Sequence, residues 1–479
     1  MGTIYIMGLG PGNPDWISMA VYNRIIGEGP HFLRTSEHGA VEIFENNNIP
    51  YESFDRFYED SDSFEEVYGK IVEKLISAAE YGDVNYYVPG DPHVAEKTVI
   101  MLMEANVKTE VLSGISFIEP VLKAVGKDSV SGLVFLNGEG LSSLDLDIHR
   151  DLLITQIYNQ HLLSELKLAL SEIYGDEYYV MAVHSAGTVK ESMQRITVTD
   201  LDREVIAGHE TAIFVPVMPK DKKIYDMRDV LEIMMRLRAP GGCPWDIEQT
   251  HSSIRNSLIE EAYELVQTID EDNIEAMVEE LGDYLLQWVF HLLIGYENGE
   301  FYPIDVTTVL ADKLIYRHPH VFLQKKVANT TDVGYNWDKL KYGRQNIHRF
   351  IDKLNSIPAL PSTMVAQKII HKCASIDFIW DGPEGPAEKV KEELLELEQA
   401  LINGDEFEME KELGDILFSV CSLAYMLGID PELALTSTNR KFIGRFEIMD
   451  RLAHNGGKEL ETLSREQLEE LWQRAKELE

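Results

Sequence analysis

Cysteine is scarce in this chain. Only Cys243, Cys373 and Cys421 occur among 479 residues, far apart and without a C-x-x-C pair. That excludes a disulfide framework and a cysteine zinc site, and it suits a reducing compartment. Basic residues are also few: 43 Lys and Arg stand against 82 Asp and Glu, a net charge of −39. A field of that sign repels polynucleotides and anionic membrane surfaces, so neither nucleic acid nor membrane is expected as a partner. Long apolar runs are lacking as well. The best candidate, residues 281–294, is interrupted by Asp283 and Gln287 and is too short to span a bilayer. The N-terminus has no basic leader, and Ile4, Tyr5, Ile6 and Met7 run straight into a Gly-Pro turn. It reads as a first strand, and a cytoplasmic protein is expected.

What is abundant is acid, and it is patterned. Glu260, Glu261 and Glu264 are followed by Glu280 and Asp283; Glu392, Glu393 and Glu396 are followed by Glu412 and Asp415. Both sets read E-E-x-x-E and then E-x-x-D, and they lie 132 positions apart. Since 82 of 479 residues are acidic, five acids recurring at one fixed offset point to a duplication rather than to a solvated surface. Positions i and i+3 or i+4 share a helix face, so two antiparallel helices can gather four or five carboxylates. Such a cluster repels itself unless a hard cation sits in it, and oxygen-only donors suit Mg²⁺ or Mn²⁺. Hydrated Mg²⁺ on carboxylates is a common partner of substrate phosphates. A second repeated pair, Lys313 with Arg317 and Lys441 with Arg445, lies downstream of each acidic set at i, i+4 spacing and can meet phosphate oxygens.

The chain changes character along its length, and more than one domain is expected. Through residue 218, short apolar runs at 4–7, 84–88, 133–136, 178–183 and 211–217 alternate with amphipathic segments and Gly/Pro turns, the pattern of an α/β domain. Pro216, Pro219 and the charged residues 220–223 read as a linker. Beyond residue 225 a 3.6-residue period takes over. Ile254, Leu258, Ala262, Leu265 and Ile269 form one stripe, and Leu281, Leu285, Trp288, Val289 and Leu292 another. Leu394, Leu397 and Leu401, then Leu413, Ile416, Leu417, Val420 and Leu423, repeat them. Short polar turns make the flanking helices antiparallel neighbours, giving two helical units at 225–350 and 356–479.

Leu237-Arg238-Ala239-Pro240-Gly241-Gly242-Cys243-Pro244-Trp245-Asp246, the acidic sets, Arg317-His318-Pro319-His320-Val321-Phe322 and Asn439-Arg440-Lys441-Phe442 resemble the MazG family of nucleoside triphosphate pyrophosphohydrolases. The resemblance covers most of residues 225–479. It implies an all-α fold of helical bundle repeats, usually dimeric, that cleaves an NTP or dNTP to the monophosphate and pyrophosphate with Mg²⁺. It implies that Glu260, Glu261, Glu264, Glu280, Asp283, Glu392, Glu393, Glu396, Glu412 and Asp415 are metal ligands. It places catalysis in the second repeat, with Lys389, Lys441, Arg445, Trp472 and Lys476 as nucleotide contacts. Trp472 also reads as a capping hydrophobe near the C-terminus.

In the first domain, Gly8, Gly10 and Gly12 follow the first strand, Gly90 and Asp91 follow another, and Gly114 and Ser116 follow a third. Glycines after strands permit close ligand approach. In this order the loops resemble the tetrapyrrole (corrin/porphyrin) methylases, over residues 1–217. The resemblance implies two α/β subdomains with S-adenosylmethionine between them. Asn13 stands where that family has Asp, and Ser113 where it has Pro. Two other readings remain: an S-adenosylmethionine-dependent tetrapyrrole methyltransferase with helical dimerisation modules, and a non-catalytic regulator that senses ligands.

Overall fold

The computed structural model describes residues 2–61, 63–219, 221, 224–322 and 349–478. Lys220, Lys222 and Lys223 of the expected linker lie outside them. The chain divides into two compact units, Met1–Leu237 and Arg238–Glu479.

The first unit holds two five-stranded sheets. In one, β1 (Ile4–Gly8), β2 (His31–Leu33), β3 (Glu52–Ser53), β4 (Val84–Val88) and β5 (Thr109–Leu112) are ordered β3-β2-β4-β1-β5 and all parallel. Ile4 pairs with Val84 and Ile6 with Tyr86. Alternation sends Ile4, Ile6, Val84 and Tyr86 to one core, covered by Val67, Ile71 and Leu75 of the helix Phe64–Ala79. It sends Met7, Leu33 and Tyr87 to a second core with Val21, Ile25 and Phe44. A parallel sheet covered on both faces reads as continuous apolar runs, which is why β1 and β4 were legible.

The other sheet contains β6 (Leu133–Asn137), β7 (Asp151–Thr155), β8 (Tyr179–His184), β9 (Ser192–Thr197) and β10 (Thr211–Val215), ordered β6-β7-β10-β8-β9. Only β6 and β7 pair in parallel. β10 stops at Val215, two residues earlier than expected, because Pro216 has no N–H to donate. β2, β3, β7 and β9 were not anticipated; β3 has two residues, and β9 is a largely exposed edge strand with a polar sequence.

The second unit is helical. The first repeat contains α1 (Ser257–Asp270), α2 (Ile274–Glu297) and α3 (Pro303–Arg317). The second contains α4 (Ser362–Ala374), α5 (Glu384–Asn403), α6 (Glu406–Met426), α7 (Pro431–Asn455) and α8 (Arg465–Leu478). α1 and α2 form one hairpin, and α5 and α6 another. Each second helix is capped by its turn: Asn273 accepts from the N–H of Ala276, and Asp405 from those of Phe407 and Glu408. The turns reverse direction through left-handed residues, Asp272 at φ 52° and Gly404 at φ 68°.

The apolar stripes need correction. Leu281, Leu401, Leu413 and Leu417 are each about half exposed in the single chain. Val289 and Leu292 of the second stripe are buried as expected, joined on α2 by Phe290, Leu293 and Ile294 from outside it, and on α6 Ser419, Cys421 and Ser422 are buried. Among the described residues, no single helix is long and apolar enough to cross a membrane.

Candidate active site

Helix geometry selects three acids from each set of five. In the first repeat, carboxylate oxygens of Glu261 and Glu264 on α1 and Glu280 on α2 all lie within 4.8 Å of one another. In the second, Glu393 on α5 and Glu412 and Asp415 on α6 do the same. Glu260 and Asp283 fall outside the first triple, and Glu392 and Glu396 outside the second. Asp283 still acts on Glu261, and Glu396 on Glu412, through charge and hydrogen bonding.

The two triples differ in their cations. In the second repeat Lys389 Nζ lies 2.7 Å from Glu393 Oε1 and 2.8 Å from Glu392 Oε1. Lys411 Nζ lies 2.8 Å from Glu412 Oε1 and 3.2 Å from Glu408 Oε2. The hydrogen bond from Lys411 lowers the carboxyl of Glu412 below its usual range, and the bonds to Glu392 and Glu393 raise the ammonium of Lys389. Glu396 is pushed up by burial and by its neighbours Glu393 and Glu412. The repeat offset of 132 places Ser257 opposite Lys389 and Glu279 opposite Lys411. The first triple therefore has no lysine at either position. Burial and mutual repulsion raise both Glu261 and Glu280. Gln287 Nε2 reaches Glu261 Oε1 at 3.5 Å.

These residues fit a hard cation. Glu393 and Glu412 are 5% and 4% exposed, and Glu412 Oε2 finds no hydrogen-bond partner among the described residues. Glu280 Oε2 is likewise unpartnered. An all-oxygen donor set with spare lone pairs suits Mg²⁺ or Mn²⁺.

The expected nucleotide contacts form a second group. Arg445 of α7 lies 5.2 Å above the Trp472 ring of α8, and Lys476 Nζ is 5.9 Å from it. Trp472 also packs against Phe442 and Phe446, at centroid distances of 4.9 and 5.8 Å, so its ring caps α7 as well as facing the cations. Lys441 is one turn before Arg445 on α7, which packs against α6. Lys389 stands with the acids rather than with this group.

In the first unit the glycine loops are packed on one another. Gly10 and Gly90 exchange backbone hydrogen bonds of 3.1 and 2.7 Å. A Cβ on Gly8 or Gly114 would collide with the Gly90 carbonyl. Asp91 Oδ2 accepts from the Gly114 N–H at 3.0 Å, and Ser116, buried, donates to Glu119. Gly12 is left-handed at φ 119°. Asn13 accepts from the Asp15 N–H at 3.0 Å, the cap an aspartate would also make. His38, not singled out in the sequence, donates from Nε2 to the Gly10 carbonyl at 3.0 Å, with its pKa lowered by burial. Beside these loops a cleft of about 540 Å³ is lined by Asp15, Trp16, Ile17, Ser18, Gly114, Ile115 and Glu119.

Lys411, Gln287 and a histidine pair, His251 and His291, were also missed. The lysine was visible by aligning the repeats; the histidines, 40 residues apart, carried no local signal. His149 gathers Asp226 and Asp229, but both carboxylates are taken by backbone N–H groups at the start of the helix Met227–Arg238.

Comparison with known proteins agrees with this division. Residues 249–322 and 382–448 match the MazG nucleotide pyrophosphohydrolase domain, and residues 3–202 the tetrapyrrole (corrin/porphyrin) methylases. The chain is 37% identical to the protein YabN of Bacillus subtilis (strain 168), over 100% of this chain and 99% of that protein. It is 43% identical to the nucleoside triphosphate pyrophosphohydrolase/pyrophosphatase MazG of Thermotoga maritima, over 52% of this chain and 94% of that protein. It is 38% identical to the nucleoside triphosphate pyrophosphohydrolase of Escherichia coli (strain K12), over 52% and 95%. With an α/β unit of two sheets followed by paired acidic helical hairpins, the chain belongs to the family of proteins that join a tetrapyrrole methylase domain to MazG nucleotide pyrophosphohydrolase repeats.

Proposed function

We propose that this chain hydrolyses nucleoside triphosphates, ribo or deoxy, to the monophosphate and pyrophosphate, and that the second repeat carries the catalysis. The observation that supports this reading is the triple Glu393, Glu412 and Asp415 with Lys389 seated in it. Those three carboxylates would hold Mg²⁺, or Mn²⁺ in its place, with Glu392 and Glu396 beside them. The ion, when bound, neutralises phosphate charge and lowers the pKa of a bound water. Lys389 is a cation already poised at the cluster; on substrate entry it transfers from Glu392 to a phosphate oxygen. Lys441, Arg445 and Lys476 supply further positive charge, and the Trp472 face supplies a stacking surface for the base. Water attacks the α-phosphorus, and the α–β bridging oxygen departs with pyrophosphate.

The half-exposed leucines of α2, α5 and α6 support a homodimer that buries them. The acidic charge supports a cytoplasmic enzyme acting on free nucleotides rather than on nucleic acid or membranes. The cleft beside Gly114 supports S-adenosylmethionine binding in the first unit, as ligand or methyl donor. Calorimetry with S-adenosylmethionine tests it; no heat at millimolar ligand would remove both roles.

The test of the main reading is a panel of NTPs and dNTPs with Mg²⁺, scored for pyrophosphate against orthophosphate. Pyrophosphate with monophosphate is expected. Orthophosphate as the first product would reject cleavage at the α-phosphate.

A further inference from the structure

Two polar contacts join α1 of the first repeat to α7 of the second. Tyr263 of α1 donates its hydroxyl to Glu432 Oε1 at 3.0 Å, and Thr363 of α4 donates to Glu432 Oε2. Arg440 Nη1 donates to Oδ2 of Asp270, the last residue of α1, at 2.9 Å. Positions rise together on the two helices, Tyr263 with Glu432 and Asp270 with Arg440, so α1 and α7 run parallel here. Tyr263 and Asp270 are seven residues apart, and Glu432 and Arg440 eight, which sets the two contacts about 10–12 Å from each other along the helices.

Each helix turns a different face to its own chemistry. At about 100° per residue, Tyr263 and Asp270 share a face of α1 that lies roughly 140° from the one carrying Glu261 and Glu264. On α7, Glu432 and Arg440 lie roughly 160° from Lys441 and Arg445. The acids of α1 and the cations of α7 are thus on the outer faces of one pair of helices, and the contacts of Tyr263 and Asp270 are the seam between them.

The seam matters because α7 buries few side chains where it bears the cations. Its buried residues are Pro431, Met449 and Ala453, toward the two ends, whereas Leu433, Phe442, Ile443 and Phe446 are 42, 53, 59 and 41% exposed. So thin an apolar hold is a weak brake on rotation or sliding. A rotation of about 20° displaces a charge carried about 8 Å from the axis by about 3 Å, and a misplacement of about 1 Å is already costly. Two contacts on one face, two turns apart, block both motions. Burial and the charge of Glu432 raise the pKa of Tyr263, which keeps its hydroxyl a donor at neutral pH.

We propose that Tyr263 and Asp270 are positioning residues. Through Glu432 and Arg440, the first repeat holds α7 in the rotation that presents Lys441 and Arg445 to a triphosphate in the second repeat. The inference rests on reading the second repeat as the nucleotide site, and it gives the first repeat a part in a reaction whose chemistry it does not perform.

The test uses the full chain with Mg²⁺, assayed for KM and kcat with dATP and, by equilibrium dialysis, for the Kd of α,β-methylene-dATP. Asp270→Arg is expected to raise KM and Kd roughly fivefold or more with kcat within about twofold, because ground-state phosphate contacts are lost. The sign is diagnostic, since a positive charge acting only through the protein's field would draw the anionic substrate in and lower KM. Arg440→Asp should raise KM as well. Asp270→Arg with Arg440→Asp in one chain should restore it to within about twofold, which neither misfolding nor a field effect would do. Tyr263→Phe, which removes only the hydroxyl, is expected to raise KM about twofold to threefold. A KM and Kd left unchanged by Asp270→Arg, or not restored by the exchanged pair, would overturn the inference. Dialysis needs no turnover, so a shift and its restoration there support the inference even where pyrophosphate release fails and the proposed reaction falls.

Discussion

Two carboxylate triples sit in one helical unit; they share the Glu261/Glu393 and Glu280/Glu412 positions, differ in the third acid, and differ in their electrostatics. Around Glu393 and Glu412 the chain provides its own counter-ions, Lys389 and Lys411. Around Glu261 and Glu280 it places Ser257 and Glu279 at the equivalent positions, and both carboxyls are raised. A cluster with internal lysines is partly neutral without metal, and in the proposed reaction those cations pass to an incoming phosphate. In a cluster without them the carboxylates repel one another. Duplication kept all five acids but not which three converge: Glu264 completes the first triple, whereas Asp415, the counterpart of Asp283, completes the second, and the surrounding charges diverged as well.

The comparison is broken most directly by mutating each triple. Glu393→Ala is expected to lower NTP turnover by more than about 100-fold, while Glu261→Ala leaves it within a few-fold of wild type. Equal losses from both, measured as pyrophosphate release, would mean that the repeats act as one site. Next in size, Lys389→Ala should reduce kcat/KM roughly 10- to 100-fold by removing a phosphate contact. A compensating gain in Mn²⁺ affinity at the second triple, read by calorimetry, is expected from the same change. The reverse experiment is smaller. Ser257→Lys with Glu279→Lys gives the first triple the counter-ions of the second and should weaken its Mn²⁺ binding by roughly tenfold. Unchanged binding would show that the lysines do not set the difference.

The smallest effect concerns pH and stability. Glu261 and Glu280 have folded pKa values above their ordinary 4.5, so their ionisation opposes folding. The cost is complete above the folded pKa and vanishes as pH falls toward 4.5. Glu412, lowered by Lys411, behaves oppositely: its contribution is present above 4.5 and is lost as pH falls through its folded pKa. Without metal, Glu261→Gln with Glu280→Gln should therefore raise Tm by about 2 °C at pH 7.5, with the gain closing near pH 4.5. Added Mg²⁺ should reverse the order, since the wild-type triple gains a ligand that the variant cannot hold. Thermal scans across pH with and without Mg²⁺ check both signs.

Much of this was legible beforehand, for reasons that can be stated. β1 and β4 announced themselves because both faces of a parallel sheet are covered, and the acids because a repeat doubles the signal. Which acids converge was not legible. Glu260 and Glu261 are separated by 100° on the helix, and each shares a face with Glu264, so only the packing of α2 on α1 chooses Glu261. The stripes through Leu281 and Leu413 were legible as apolar but not as exposed, because an apolar stripe has the same spacing whether or not its own chain covers it. The His251–His291 pair depends on contact between residues 40 apart, and no local rule reports that.

The two hairpin turns differ in how readily they form. Gly404 enters the left-handed region without a side-chain penalty, whereas Asp272, at the same place in the first repeat, carries a cost of about 1 kcal/mol. The α1–α2 turn therefore carries backbone strain that the α5–α6 turn does not, and Asp272→Gly is expected to relieve it.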